Sequence, residues 1–217
     1  MKKKRIIIVG GGEHSHLIIN NLEDCPEYHL VGLTTHLDSE ISNKIFGFSI
    51  LCHDRDIPEL IKSEKIDGYI LGVGVTHGMK KRKKIFSVVD PLISPINIIH
   101  PTCVLSKHAR IGKGNFFEAY TKIAIGAVIG NHCIINSFSA VNHGQIVGDN
   151  VLIACNVSLA GKKIGSHTII ADGASVAFKV SVGENCIVGD GAVVTKDLPD
   201  GVIAYGNPAK IVRSVES

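Results

Sequence analysis

From Ile99 onward an apolar residue recurs at every sixth position. The series runs Ile99, Leu105, Ile111, Phe117, Ile123, Ile129, Ile135, Val141, Val147, Ile153, Leu159. One step of five leads to Ile164, and the six-step resumes through Ile170, Val176, Val182, Val188 and Val194. The residue two places earlier is often small: Cys103, Ala109, Thr121, Ala127, Cys133, Ser139, Ala174, Cys186 and Ala192. Glycine follows the aliphatic at Gly112, Gly130, Gly148, Gly165 and Gly183, at spacings of 18, 18, 17 and 18. Neither an α-helix nor a flat strand has period six. A triangular coil of three short strands per turn does, with one aliphatic per face pointing inward onto its copy one coil later. Such a coil cannot bury its inner face alone, so coils must stack. Residues 99 to 195 supply about five coils, which predicts a parallel β-helix. Cys103, Cys133 and Cys186 then fall on small inward positions and read as core filler.

Residues 1 to about 95 alternate strand-like and helix-like segments. Arg5 to Val9 is an apolar run closed by Gly10-Gly11-Gly12, and a helical pattern follows with Leu17, Ile18, Asn21 and Leu22 near one face. Further strands are expected at His29 to Thr34 and Gly68 to Val75, and a helix from His77 to Val89. That order predicts a small α/β domain of Rossmann-like βαβ units with a parallel sheet. The expected organisation is therefore a domain at 1–95 and a β-helix with a C-terminal tail at 96–217.

Composition narrows the function classes. Ile and Val account for 31 and 21 of 217 residues, which favours β structure. The net charge of +3 is too small to indicate nucleic acid as a partner. No apolar run approaches the length of a spanning helix, so no membrane insertion is expected. The start, Lys2-Lys3-Lys4-Arg5 before a short apolar run, reads as a first strand rather than an export signal. The six cysteines form no C-x-x-C pair, and reduced thiols in the cytoplasm are expected. The histidines show no zinc spacing, and no metal is expected. The run Lys80-Lys81-Arg82-Lys83-Lys84 reads as a solvated helix face rather than a phosphate site.

The hexapeptide rungs end in Gly189-Asp190-Gly191-Ala192-Val193-Val194-Thr195-Lys196-Asp197 and Gly206-Asn207-Pro208-Ala209-Lys210. They resemble the left-handed β-helix acyltransferases. Val9-Gly10-Gly11-Gly12-Glu13-His14-Ser15, Gly47-Phe48-Ser49-Ile50-Leu51, Ile99-His100-Pro101 and Ile134-Ile135-Asn136 narrow this. Their order resembles the sugar O-/N-acyltransferase family, which includes sialic-acid O-acetyltransferases and bacillosamine- and perosamine-pathway N-acetyltransferases. The resemblance implies an acetyl-CoA-dependent enzyme of bacterial surface-glycan biosynthesis, N-acetylating a nucleotide-linked amino sugar. O-acetylation of a sialic-acid-like or other sugar hydroxyl is the alternative. A non-catalytic sugar-nucleotide-binding homologue is a third reading. A homotrimer with active sites at subunit interfaces is also implied.

Residue by residue, the resemblance makes His143 the general base, the alternative being a surface or interface histidine. Imidazole suits the task near neutral pH. Gly161, 18 residues on, is implied to offer its N–H to the thioester oxyanion; the slipped turn also demands a glycine there. Coenzyme A is expected against Asn136, Gly161, Ala177, Gly191 and Lys196, with Lys196 equally readable as a solvated lysine. Gly10, Gly12, His14 and Gly74 are expected to bind the nucleotide sugar, His14 being otherwise a helix N-terminal residue. Two departures stand out. Relatives carry Asp or Glu after the catalytic histidine and a second histidine nine residues on; here these are Gly144 and Leu152. Asp149 or Glu118 of a neighbouring subunit are the substitutes considered for the missing carboxylate. Relatives acting on 4-amino sugars often carry Asp-Asp at the end of the second strand to hold the amine, where this chain has Thr35-His36.

Overall fold

A computed structural model describes residues 2–75 and 79–215. The chain divides into two compact units, Met1–His100 and Pro101–Ser217.

The first unit contains β1 (Lys4–Val9), α1 (Glu13–Glu23), β2 (Tyr28–Thr35), β3 (Lys44–Ile45), β4 (Phe48–His53), α2 (Ile57–Ser63), β5 (Gly68–Leu71) and α3 (Met79–Val89). The sheet order is β3-β4-β2-β1-β5. β1 runs parallel to β2 and β5, β2 runs parallel to β4, and only β3 is antiparallel. Ile6 to Val9 are all buried, as a central parallel strand covered on both faces requires.

Several expectations need correcting here. On α1 the buried face is His14, Ser15, Ile18, Ile19 and Asn21, whereas Leu17 is exposed. The third strand stops at Leu71 rather than Val75. Its partner β1 ends at Val9, and the next residue, Gly72, crosses so close to Gly10 that a Cβ would lie 2.4 Å from the Gly10 carbonyl. The expected helix start at His77 lies outside the described residues. The β3–β4 hairpin and α2 were not anticipated. The hairpin turns through Phe46 and Gly47, both at positive φ, the geometry a two-residue hairpin turn needs. The basic run is not wholly a solvated face, because Arg82 is 1% exposed and its Nη1 donates to the Val73 carbonyl.

The second unit is built from sixteen two-residue strands, from Val104–Leu105 to Val193–Val194. They form three parallel faces. The first holds Ala140–Val141 and Ser158–Leu159, the second Ile146–Val147, and the third Ile134–Ile135 and Leu152–Ile153. The third face ends in Val202–Tyr205, which pairs antiparallel with Lys210–Ser214. Every periodic position from Phe117 to Val194 is buried. The series weakens only at the first coil, where Leu105 is exposed and Ile111 half-buried. Small inward residues also close hydrogen bonds to the next coil. Ser139 Oγ donates to the Ala154 carbonyl at 2.5 Å and Thr168 Oγ1 to the Gly183 carbonyl at 2.8 Å. A larger side chain at these positions would have no room to turn the corner.

Candidate active site

Stacking turns the six-residue period into edges. Counting two residues on from each inward aliphatic of the first face gives Lys107, Ile125, His143, Gly161, Phe178 and Lys196. The pairing of Val141 with Leu159 and of Leu159 with Val176 puts His143, Gly161 and Phe178 on successive coils of one edge. Adjacent parallel strands lie about 4.8 Å apart, so His143 and Gly161 are neighbours and Phe178 is one coil further. His143 is exposed, and its imidazole makes no hydrogen bond among the described residues. Gly144 follows at φ +67, a left-handed turn position that glycine takes without strain.

Gly161 sits where the period slips to five. A Cβ there would lie 2.3 Å from the Val180 carbonyl and 2.9 Å from the Val176 side chain. The shortened turn therefore excludes every residue but glycine. That structural demand is compatible with an N–H directed at an oxyanion. Two further residues expected at coenzyme A belong to the same edge. Ala177 is half-buried beside Phe178, and Lys196 is exposed one coil on.

The other two do not. Asn136 follows Ile135 of the third face, and Gly191, at φ +63, closes a turn on that same side. They lie on the edge joining the third face to the first, not on the His143 edge. Within one chain the structure does not bring Asn136 and Gly191 together with Gly161, Ala177 and Lys196. The Asn136 Oδ1 is buried with no hydrogen-bond partner. The two carboxylates considered as substitutes are both engaged. Asp149 Oδ1 accepts from Asn131 N–H at 2.6 Å, and Glu118 Oε2 accepts from Ser137 N–H at 3.0 Å. Leu152 is buried, although its neighbour Ile153 takes the inward position of that strand.

In the first unit, Gly10, Gly12, His14 and Gly74 gather around one cleft of about 450 Å³, which Gly11, Glu13, His36, Asp54, Val73, Lys81 and Ile85 also line. Its size suits a small organic ligand. The cleft opens at the carboxyl ends of β1, β2 and β5, where parallel sheets place their ligands. Gly74 lies so near His14 that a Cβ would come within 3.3 Å of the histidine Cβ. Burial, and then the nearby Arg82 charge, push the His14 pKa down to about 3, so its ring is neutral at physiological pH. Sequence reasoning missed Asp54, Lys81 and Arg82 as neighbours of this cleft. Asp54 has no periodic signal, and the two basic residues are masked by the run they belong to. Among the described residues no group of His, Cys, Asp or Glu is arranged to hold a metal, and no helix is long and apolar enough to cross a membrane.

The geometry can be set beside known proteins. No family model matches the chain. A histidine-to-asparagine mutant of perosamine N-acetyltransferase from Caulobacter crescentus, solved with CoA and GDP-perosamine, superposes with a TM-score of 0.88. It is 29% identical, over 96% of this chain and 97% of that one. The chain resembles the hexapeptide-repeat sugar acyltransferases. The acetyltransferase domain of PglB from Neisseria gonorrhoeae, in complex with acetyl coenzyme A, gives a TM-score of 0.85 at 25% identity, over 97% of this chain and 100% of that one. Among curated proteins, galactoside O-acetyltransferase from Escherichia coli K12 is 34% identical over 94 residues, covering 32% of this chain and 43% of its own length. Serine acetyltransferase 2 of Arabidopsis thaliana is 31% identical over 121 residues, covering 54% of this chain and 32% of its own. The chain thus spans less than half the length of these two curated relatives. Both structural neighbours and both curated relatives are acetyltransferases.

Proposed function

We propose that this protein is an acetyl-CoA-dependent acetyltransferase that N-acetylates a nucleotide-linked amino sugar. The observation that carries the reading is the register of the β-helix, which sets an exposed His143 beside Gly161 on one edge. Acyl transfer needs a base for the acceptor and a donor for the tetrahedral oxyanion. His143 takes the acceptor proton, and the Gly161 N–H meets the oxyanion. The acceptor nitrogen bonds to the acetyl carbon to give the tetrahedral oxyanion, the C–S bond then breaks, and the proton taken by His143 passes to the sulfur, so that coenzyme A leaves as the thiol. The Rossmann-like N-terminal half holds the nucleotide part in the cleft formed by Gly10, Gly12, His14 and Gly74. The neighbours with CoA, acetyl-CoA and GDP-perosamine support both halves of this assignment.

The division of the expected coenzyme A residues between two edges favours a second copy. Gly161, Ala177 and Lys196 of one protomer and Asn136 and Gly191 of another would complete one groove in a symmetric trimer. Coenzyme A then lies between copies, and the orphaned Asn136 Oδ1 acquires a donor.

Thiol release from acetyl-CoA tests the reading. The acceptor panel holds nucleotide amino sugars, their hydroxyl counterparts and free sialic acid, each against wild type and His143→Ala. Release with an amino sugar, reduced roughly a hundredfold or more in the variant, is the expected result. Release only with a hydroxyl acceptor replaces N- with O-acetylation. Release that survives the substitution removes His143 as base. A folded protein that binds nucleotide sugar and releases no thiol with any acceptor is a binding homologue.

A further inference from the structure

The cleft of the first unit contains a carboxylate that the fold sets in place twice over. Thr34, wholly buried at the end of β2, accepts from the Gly10 N–H at 3.4 Å and donates its hydroxyl to Asp54 Oδ1 at 2.5 Å. His53, the last residue of β4, makes a second tie. Its Nδ1 accepts from the Arg55 N–H at 3.1 Å, and its Nε2 lies 3.1 Å from the His36 carbonyl oxygen. The glycine turn, the end of β2 and the turn at Asp54 are thereby fixed to one another. Asp54 Oδ1 is occupied by Thr34. Oδ2 makes no hydrogen bond among the described residues, and Asp54 lines the cleft.

In parallel sheets that bind nucleotides, an acidic side chain at the end of the second strand accepts from the ribose hydroxyls. In this chain β2 ends in Thr35 and is followed by His36, so it brings no acid of its own. The nearby Glu40 gives its Oε2 to the Thr35 hydroxyl at 2.5 Å and, unlike Asp54, does not line the cleft. Asp54 reaches the same place from the neighbouring strand. An ionised carboxylate is acceptor-only, with one oxygen here still to satisfy, and a ribose 2′-hydroxyl is a donor of the matching kind.

Resting on the nucleotide-sugar reading of this cleft, we propose that Asp54 is a specificity-determining residue that accepts a hydrogen bond from the ribose 2′-hydroxyl. The cleft accordingly prefers ribonucleotides to 2′-deoxyribonucleotides. A hydrogen bond to a charged group is worth about tenfold to a hundredfold in affinity.

Isothermal titration of the full chain with GDP, UDP and their 2′-deoxy counterparts tests this. Wild type should bind one ribonucleotide at least about tenfold more tightly than its deoxy form. Asp54→Asn, which keeps an oxygen for Thr34, should lose most of that preference through weaker ribonucleotide binding, with the deoxy affinity nearly unchanged. Asp54→Glu is the second variant, should the first unfold, and should also lower the preference by displacing the carboxylate. A preference that survives both substitutions, or one lost on Glu13→Gln instead, overturns the proposal and leaves the nucleotide reading standing. Binding of ribo- and deoxynucleotides with equal affinity by wild type does the same. No binding of any nucleotide removes the reading and the proposal together.

Discussion

The two units build their sites in opposite ways. In the β-helix a single period decides everything: which side chain is inside, which edge each outer residue occupies, and which residues become neighbours. His143 and Gly161 are 18 residues apart and one coil apart, because the register allows nothing else. In the N-terminal unit no period relates the residues of the cleft. Gly10, His36, Asp54, Gly74 and Lys81 come from five separate stretches, brought together by a parallel sheet and by hydrogen bonds through Thr34 and His53. A repeat makes a site legible from spacing. A sheet edge hides it until the strand order is known.

The sharpest way to break this contrast is to damage the stack. Phe117 is wholly buried one coil before Ile135. Phe117→Ala should cost about 3–5 kcal/mol, read as a lower denaturation midpoint. If the coils respond independently of the N-terminal unit, probes in the two units should report separate transitions. A single shared transition, with both midpoints lowered equally, would show that the units unfold as one.

The N-terminal unit should answer most strongly at Arg82. It is the one member of the basic run that is wholly buried, and it holds the Val73 carbonyl at the cleft wall. Arg82→Met should cost about 2–3 kcal/mol, from a lost hydrogen bond to a charged donor. Lys83→Ala and Lys84→Ala, one and two residues on and exposed, should stay within about 0.5 kcal/mol. Equal effects at all three positions would return the run to a solvated face. This difference could not be read in advance. Five consecutive basic residues look alike, and only the packing of α3 against the sheet selects the one that turns inward.

The same limit explains which parts of the sites were legible. The Gly10-Gly11-Gly12 cluster after the first strand marks backbone that must turn tightly, whereas His14 and Gly74 were singled out only by the family resemblance. Asp54 gives no such signal, since an aspartate after a short strand is ordinary turn chemistry. In the β-helix, the division of Asn136 and Gly191 from Ala177 and Lys196 was encoded in their offsets from the inward aliphatics. It becomes visible once those offsets are assigned to faces.

A pH titration sharpens the contrast further. His14 is buried with its pKa pushed down to about 3, against about 6.5 in an unfolded chain. Between those values the unfolded chain binds a proton that the folded one refuses, so stability falls as pH falls. At pH 5 this one group costs on the order of 2 kcal/mol relative to neutral pH. His14→Gln removes the group, and its denaturation midpoint should fall less steeply from pH 7 to pH 5 than that of wild type. Parallel curves would show that the folded His14 accepts its proton normally.

The smallest effect on stability is expected at Gly144, and it bears on the chemistry of the other unit. Nothing lies within 4 Å of where a Cβ would stand, so the only obstacle to a side chain is the backbone at φ +67. Aspartate tolerates that conformation at a cost of about 1 kcal/mol. Gly144→Asp would place next to His143 the kind of acidic neighbour that orients and polarises a catalytic imidazole. Asp149 and Glu118 each already give one carboxylate oxygen to a backbone N–H of their own chain. The expected outcome is a slightly lower denaturation midpoint together with a higher kcat in the thiol-release assay, and little change in KM for either substrate. A fall in kcat at unchanged stability would mean that the partner of His143 comes from another protomer, and that glycine at 144 is what makes room for it.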